Sequence, residues 1–319
     1  MKSKVLIVST VTIPPAFMAR FEELFDLRYA PDDATQTKLL AGDWLADATA
    51  IFCSGSLGVR QDLLDRMPKL KIVCCGGTGY DGLDVPALRR RGVIITHGAG
   101  NNAPSVADHV FALILAVVRR VAWLNDAVHK GRWEQSRAAQ PIAAGKRLGI
   151  VGYGSIGAEV AKRAAAFDMP IAYHNRNRRA DVPHAYCASP VELAARSDIL
   201  AISTPGGPGT RNLIGQAVFD AMPRGGYLIN VARGSVVDTA AMIAALKSGQ
   251  LAGAGLDVLD SEPEVPPYLL DHPDVVFTPH IGGRSPEAAD QAIELVIRNL
   301  DAHFAGKPVL TPIPSGEGP

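Results

Sequence analysis

Arg233, Glu262 and His280 each follow an apolar run, in LINVARGSVVD, AGLDVLDSEPEVP and VVFTPHIGGRS. Reduction of a 2-keto acid needs a cation for the carboxylate and carbonyl, a source of hydride, and a proton donor for the alkoxide that develops. Arg233 offers the fixed guanidinium fork. A histidine can give a proton at neutral pH, and a carboxylate such as Glu262 beside His280 favours the charged imidazolium and keeps the donor loaded. Each residue alone also has a plainer reading: Arg233 as a strand-end ion pair, Glu262 as a loop carboxylate before Pro263, His280 as a polar cap after Pro279. Their common placement after strands favours a shared site, because ligands of doubly wound sheets bind outside the carboxyl ends of the strands.

The hydride has to come from a cofactor, and a candidate cradle lies upstream. LGIVGYGSIG carries Gly152, Gly154 and Gly157 in a GxGxxG pattern, with an apolar strand before it and an Ala-rich helix after it. That context turns a weak pattern into a dinucleotide pyrophosphate site: Gly152 for the turn, Gly154 for close approach of the anion, Gly157 for packing of helix on strand. Free N–H groups around Ser155 and Ile156 would face the phosphates. About 20 residues further on, an NAD site usually carries an Asp or Glu for the ribose hydroxyls. This chain has Asn175 followed by Arg176, Arg178 and Arg179. A guanidinium pairs with a ribose 2′-phosphate that a carboxylate would repel. The reading is therefore NADP(H) in preference to NAD(H), centred on Arg176, against the alternative of a solvated loop whose arginines touch nothing.

The elements that must position these residues alternate along the chain. KVLIVS, AIFCSG, LKIVCC and VIITHG take turns with helical patterns such as FMARFEELF and VPALRRR, which predicts a parallel sheet covered on both faces. APSVADHVFALILAVVRR then begins a longer connecting helix, and a second series follows: RLGIVGYG, SIGAEVAKRAAAF, PIAYHN, PVELAARS, DILAIST, GGYLINVA, AMIAALKSG and AGAGLDV. The last helix, EAADQAIELVIRNLDAHFAG, is long enough to return to the first sheet. The expected fold is α/β, two Rossmann-like doubly wound parallel-sheet domains with the active site in the cleft between them. The first is discontinuous, residues 1–101 with 287–319, and the second spans 102–286. The tail TPIPSGEGP reads as loosely held.

Composition narrows the partners. A chain of 319 residues with 47% hydrophobic and 20% charged residues can bury two ordinary cores. Lys plus Arg and Asp plus Glu both number 32, so no overall field attracts nucleic acid or an anionic membrane. VFALILAVV is far short of the roughly 20 residues of a membrane span. The start, MKSKVLIVST, lacks a secretory pattern, so a cytoplasmic location is expected. Cys53, Cys74, Cys75 and Cys187 form no CxxC pair and read as buried reduced thiols, ahead of redox sensitivity or metal binding. His97, His109, His129, His174, His184, His272 and His303 show no paired ligand spacing, so no metal site is expected. Tyr80 reads as packing more than substrate contact, and Trp133 as packing at a domain or subunit surface.

GYGSIG, NVARGSVVD, GAGLDVLDSEPEVP and TPHIGG together resemble the D-2-hydroxyacid dehydrogenases, in particular their glyoxylate/hydroxypyruvate reductase branch, and GTGYDGLDV and SVADHVFALIL extend the likeness over nearly the whole chain. The resemblance implies Arg233 as substrate anchor, His280 as acid/base and Glu262 as its partner. It implies Asp257 at the nicotinamide carboxamide, and Tyr153, Ser203, Pro205, Thr210, Val231, Ala232 and Gly282 along the cofactor. Backbone N–H groups of Gly76, Gly77, Thr78 and Gly79, with the turn at Leu57 and Gly58, would take the substrate carboxylate. It implies a homodimer formed through the cofactor domain. Three departures stand out: Gly283, Arg284 and Ser285 replace the usual small pair after the histidine loop, Asp108 replaces a more usual Glu, and Asn175 with Arg176 departs from the NAD-using members. Formate dehydrogenases share the architecture but carry Gln where Glu262 stands. The expected activity is NADPH-dependent reduction of glyoxylate and hydroxypyruvate. The alternatives are bulkier 2-keto acids, of the 2-ketogluconate or hydroxyphenylpyruvate type, and a dinucleotide-sensing protein similar to the C-terminal-binding corepressors.

Overall fold

A computed structural model describes residues 2–8 and 13–313, so Ser9 and the end of the tail, 314–319, lie outside the described residues. The chain divides into two compact units, residues 1–102 with 284–319 and residues 103–283. The first holds a five-stranded parallel sheet in the order β2-β1-β3-β4-β5, built from β1 (Lys4–Val8), β2 (Asp26–Tyr29), β3 (Ala50–Cys53), β4 (Ile72–Cys75) and β5 (Ile94–Thr96). Its helices are α1 (Pro15–Leu24), α2 (Asp33–Leu40), α3 (Gln61–Asp65), α4 (Val85–Arg90) and the chain's last helix, α12 (Pro286–Phe304).

Successive strand residues point to opposite faces, and both faces are covered, which is why the central strands are apolar throughout. Val5, Ile7, Phe52, Ile72 and Cys74 face Phe21 of α1 and Ile293, Val296, Ile297 and Leu300 of α12. Leu6, Val8, Ile51, Cys53, Val73 and Cys75 face Leu63, Met67 and Leu88 on the other side. The expected return of the last helix to the first sheet is thus present, its first turn capped by Ser285, whose Oγ accepts from Ala288 N at 3.1 Å.

The second unit opens with α5 (Ala103–Val118) and α6 (Val121–His129). Its seven parallel strands are β6 (Leu148–Val151), β7 (Ile171–His174), β8 (Ala185–Tyr186), β9 (Ile199–Ile202), β10 (Gly226–Asn230), β11 (Leu251–Leu256) and β12 (Val275–Phe277), in the order β12-β11-β10-β9-β6-β7-β8. Helices α7 (Ser155–Ala165), α8 (Pro190–Ala195), α9 (Gln216–Ala221), α10 (Thr239–Lys247) and α11 (Pro267–Leu270) complete it. The winding reverses between β6 and β9, and such a switch point leaves a crevice at the carboxyl ends of the strands.

Helix α5 lies almost on the backbone of β11. A Cβ on Gly253 would fall 2.8 Å from Val117 Cγ1, and one on Gly255 would fall 2.9 Å from Leu113 Cβ. The apolar pattern predicts a single helix as far as Arg120, whereas the structure ends α5 at Val118 and starts α6 after Arg120, which adopts a left-handed φ of 53°. Among the described residues no helix is long and apolar enough to cross a membrane.

Candidate active site

The glycine turn between β6 and α7 leaves no room for a side chain at two of its three glycines. Gly152 has φ +95°, and a Cβ there would lie 2.6 Å from Thr204 N. At Gly157 a Cβ would lie 2.7 Å from Gly152 O, because α7 packs directly on the turn. Gly154 differs: nothing lies within 4 Å of where its Cβ would be. It is the N-cap of α7 and no side chain caps that helix, so the N–H groups of Ser155 and Ile156 open a first turn next to free space. A cradle of this form fits a dinucleotide pyrophosphate.

Several residues expected along the cofactor make hydrogen bonds in or near this turn. Asn175 Oδ1 accepts from Tyr153 N at 2.6 Å and its Nδ2 donates to Tyr153 O at 3.3 Å, so both ends of the amide hold the glycine loop. Ser203 Oγ donates to Gly152 O at 2.8 Å, and Thr210 Oγ1 donates to Pro205 O at 2.8 Å. Tyr153 is buried, its ring 5.2 Å from that of Tyr173. Among the three arginines, Arg179 is committed: it pairs with Asp181 at 2.5 Å and donates to Tyr153 O at 3.2 Å. Arg176 and Arg178 are exposed and have no ion-pair partner among the described residues.

Three loops at the ends of β10, β11 and β12 carry the expected reactive groups. Asn230, the last residue of β10, shapes the first loop: its Oδ1 accepts from Ala232 N at 3.0 Å and its Nδ2 donates to Arg233 O at 3.1 Å. Val231 and Ala232 are buried behind it. Arg233 donates to Ala232 O at 2.8 Å, and its stem runs past Gly206, where a Cβ would lie 2.7 Å from Arg233 Cγ. The next residue, Gly234, touches the β11 loop so closely that a Cβ would lie 1.8 Å from Leu259 C.

That β11 loop carries Glu262. Its Oε1 accepts from Leu259 N at 2.8 Å and its Oε2 meets His280 Nδ1 at 3.0 Å. A carboxylate only accepts, so His280 Nδ1 bears the proton toward Glu262 and Nε2 is left for another partner. The side chains are 39% and 40% exposed, which makes the pair an orienting contact more than a source of stability. The structure thus joins Glu262 to His280 directly, while Arg233 is tied to them through the Gly234 contact between loops.

Asp257, expected at the nicotinamide carboxamide, also makes several hydrogen bonds within the protein. It is 4% exposed at the end of β11, and its Oδ1 accepts from Thr278 Oγ1 at 2.5 Å and Ile281 N at 3.0 Å, its Oδ2 from Gly282 N at 2.9 Å. Burial pushes the carboxyl up, but donors from His109, Thr278, Gly282 and Ile281 outweigh it and hold Asp257 below the ordinary carboxylate value. Asp257 therefore fixes the loop on which His280 sits, a role invisible in the sequence.

In the first unit, the expected substrate loops are braced from within. Thr78 Oγ1 lies 3.0 Å from both Gly98 O and Asn102 Oδ1, and His97 Nδ1 lies 3.0 Å from Thr78 O. Gly98 N donates to Gly77 O at 2.8 Å. A Cβ on Gly76 would meet the Phe52 ring at 3.0 Å, and one on Gly55 would meet Gly79 O at 2.1 Å. Gly58 has φ +74° and abuts Gly82, leaving Leu57 66% exposed at the turn. Tyr80 packs edge-on against His97. The four cysteines are free and buried, and burial pushes the Cys74 thiol up to about 12. Among the described residues no group of three His, Cys, Asp or Glu is placed to hold a metal.

With this geometry, the chain belongs to the D-isomer specific 2-hydroxyacid dehydrogenases: residues 111–282 match their NAD-binding domain. The chain is accordingly an oxidoreductase domain pair built for a nicotinamide dinucleotide. It is 41% identical over 265 residues to the hydroxyphenylpyruvate reductase of Plectranthus scutellarioides, covering 83% of this chain and 85% of that one. It is 38% identical over 265 residues to glyoxylate/hydroxypyruvate reductase A of Arabidopsis thaliana, with 83% and 85% covered. The NADPH-dependent glyoxylate/hydroxypyruvate reductase of Sinorhizobium meliloti, solved with NADP and malonate, superposes with a TM-score of 0.88 at 34% identity, covering 98% of this chain and 97% of that one.

Proposed function

We propose that this chain reduces small 2-keto acids, glyoxylate and hydroxypyruvate first, to 2-hydroxy acids, with NADP(H) preferred over NAD(H). The observation that carries the reading is the His280 Nδ1 to Glu262 Oε2 contact of 3.0 Å, on a loop next to the one that bears Arg233. When bound, the reduced nicotinamide supplies the hydride. Arg233 holds the substrate carboxylate and carbonyl with its planar fork, and His280 gives the Nε2 proton to the carbonyl oxygen while Glu262 keeps the ring oriented. The open face at Gly154 and the first turn of α7 hold the pyrophosphate. In the first unit the N–H groups of residues 76–79, with Leu57 and Gly58, serve the substrate carboxylate.

The cofactor preference rests on Arg176, exposed and without an ion-pair partner among the described residues, beside a strand end that has Asn175 in place of a carboxylate. Charged hydrogen bonds contribute about 1.5–3 kcal/mol, so Arg176→Ala should weaken NADPH binding by about 10- to 100-fold and leave NADH binding unchanged. Equal weakening of both cofactors would overturn the 2′-phosphate assignment. The Plectranthus relative favours a second reading in which hydroxyphenylpyruvate-sized acids are taken; 2-ketogluconate belongs to the same alternative. Following NADPH oxidation against a panel of 2-keto acids separates the two by rank order of kcat/KM. No turnover across the panel, despite tight cofactor binding, would replace both with a dinucleotide sensor. The free, buried thiols fit a reducing cytoplasm. A homodimer fits the apolar side chains that the second unit leaves exposed, Val121, Val128, Trp133 and Ile142.

A further inference from the structure

His109 is one of the histidines whose spacing suggests no role, yet it lies on the face of α5 beside the loop that carries His280. Its side chain is 15% exposed. Its Nε2 is 2.7 Å from Thr278 Oγ1 and 3.3 Å from Asp257 Oδ1. The direction of these bonds follows from chemistry. Asp257 is held ionised by its donors, so it only accepts, and the Thr278 hydroxyl must give its one proton to Asp257 Oδ1 at 2.5 Å. Thr278 Oγ1 can then only accept from His109. Nε2 of His109 is the donor that starts the chain.

The far end of that chain is the backbone around His280. Asp257 takes the N–H groups of Ile281 and Gly282, and the N–H of His280 itself donates to Asp257 O at 2.9 Å. His280 is thereby kept at a left-handed φ of 53°, sparsely populated for a residue with a Cβ. The same helix adds a second tie, since Ser105 Oγ donates to Gly282 O at 2.8 Å. A Cβ on Gly282 would lie 3.0 Å from Asp257 Oδ2 and 3.2 Å from His109 Cδ2, so the loop is seated against His109 as well as bonded to it.

We propose that His109 is a positioning residue for the reaction: by donating from Nε2 into Thr278 and Asp257 it holds loop 278–282 in the conformation that points His280 at Glu262. The inference rests on the reading of His280 as the proton donor. Its failure and the failure of that reading separate when His109→Leu, His109→Gln and His280→Ala are compared. His109→Leu removes the donor at similar volume, while His109→Gln places an amide N–H near the position of Nε2. Misplacing a reacting group by an ångström costs up to about 100-fold, so His109→Leu should lower kcat by about 10- to 100-fold with KM and cofactor Kd near wild type. His109→Gln should recover most of the loss. Wild-type kcat in His109→Leu beside an inactive His280→Ala would overturn the positioning role alone, and so would a His109→Gln no better than His109→Leu. Turnover by His280→Ala at the wild-type rate would overturn the proton-donor reading beneath it. Imidazole ¹⁵N NMR of the wild-type protein gives a check independent of turnover. His109 should carry its proton on Nε2, and a bare Nε2 would overturn the assignment even if His109→Leu fails to fold.

Discussion

Gly152, Gly154 and Gly157 share a residue type for three separate reasons, and the reasons predict different variants. At Gly152 both the left-handed backbone and the Thr204 contact exclude a side chain. Gly152→Ala should lose about 1–3 kcal/mol of stability, read from urea unfolding. At Gly154 the space is open, so Gly154→Val should unfold within about 0.5 kcal/mol of wild type yet fail to bind either cofactor in a calorimetric titration. A Gly154→Val protein that binds NADPH normally would remove the pyrophosphate from this turn. The spacing of these glycines was legible because a strand, a tight turn and a helix N-terminus all constrain neighbouring residues. The work of Asn175 was not legible, because its partner Tyr153 lies 22 positions away and comes close only when β6 and β7 pair.

Among the elements, β11 and β12 decide whether His280 is held in place. The Asp257 carboxyl lies below its ordinary 3.8 in the folded chain, so the unfolded chain binds the proton more readily, and stability rises with pH across that interval. The contribution should be complete above pH 3.8 and fade as pH falls through the lower, folded value. The gap between wild type and Asp257→Asn in urea unfolding, about 1–3 kcal/mol at neutral pH, should therefore narrow below pH 3.8. A gap constant down to strong acid would show that Asp257 is not held ionised by its donors. The central strands were readable as apolar runs because both their faces are covered. The edge strands β2 and β8, DLRY and AY, are short and partly exposed, so no such run marks them. The break at Arg120 was hidden because Val121 and Ala122 continue the apolar pattern. The Asp257 bracing was unreadable for a similar reason: Thr278 and Gly282 are brought to it by the pairing of β11 with β12, not by proximity in sequence.

In the whole molecule, exposed apolar side chains occur in both units, but four of them fall within residues 121–142 of the second, with Val121 at 53%, Trp133 at 62% and Ile142 at 64% exposure. Single exposed apolar residues need no explanation, whereas a group of them does. Trp133→Ser should weaken self-association in analytical ultracentrifugation without altering the unfolding midpoint of the monomer; a wild-type chain that sediments as a monomer at every concentration would refute the dimer. The first unit has a different peculiarity, since Val5, Ile7, Phe52 and Ile72 share their core with Ile293, Val296 and Leu300 of α12. A chain stopped after Gly283 should yield to protease throughout residues 2–102 and resist it over 103–283, and uniform resistance would contradict this. During synthesis, which runs at about 5–20 residues per second, the stretch that leaves the ribosome earliest is thus the one that matures last. Its sheet has one greasy side that α1 covers only in part until the final helix emerges, and chaperones have an interval in which to claim it.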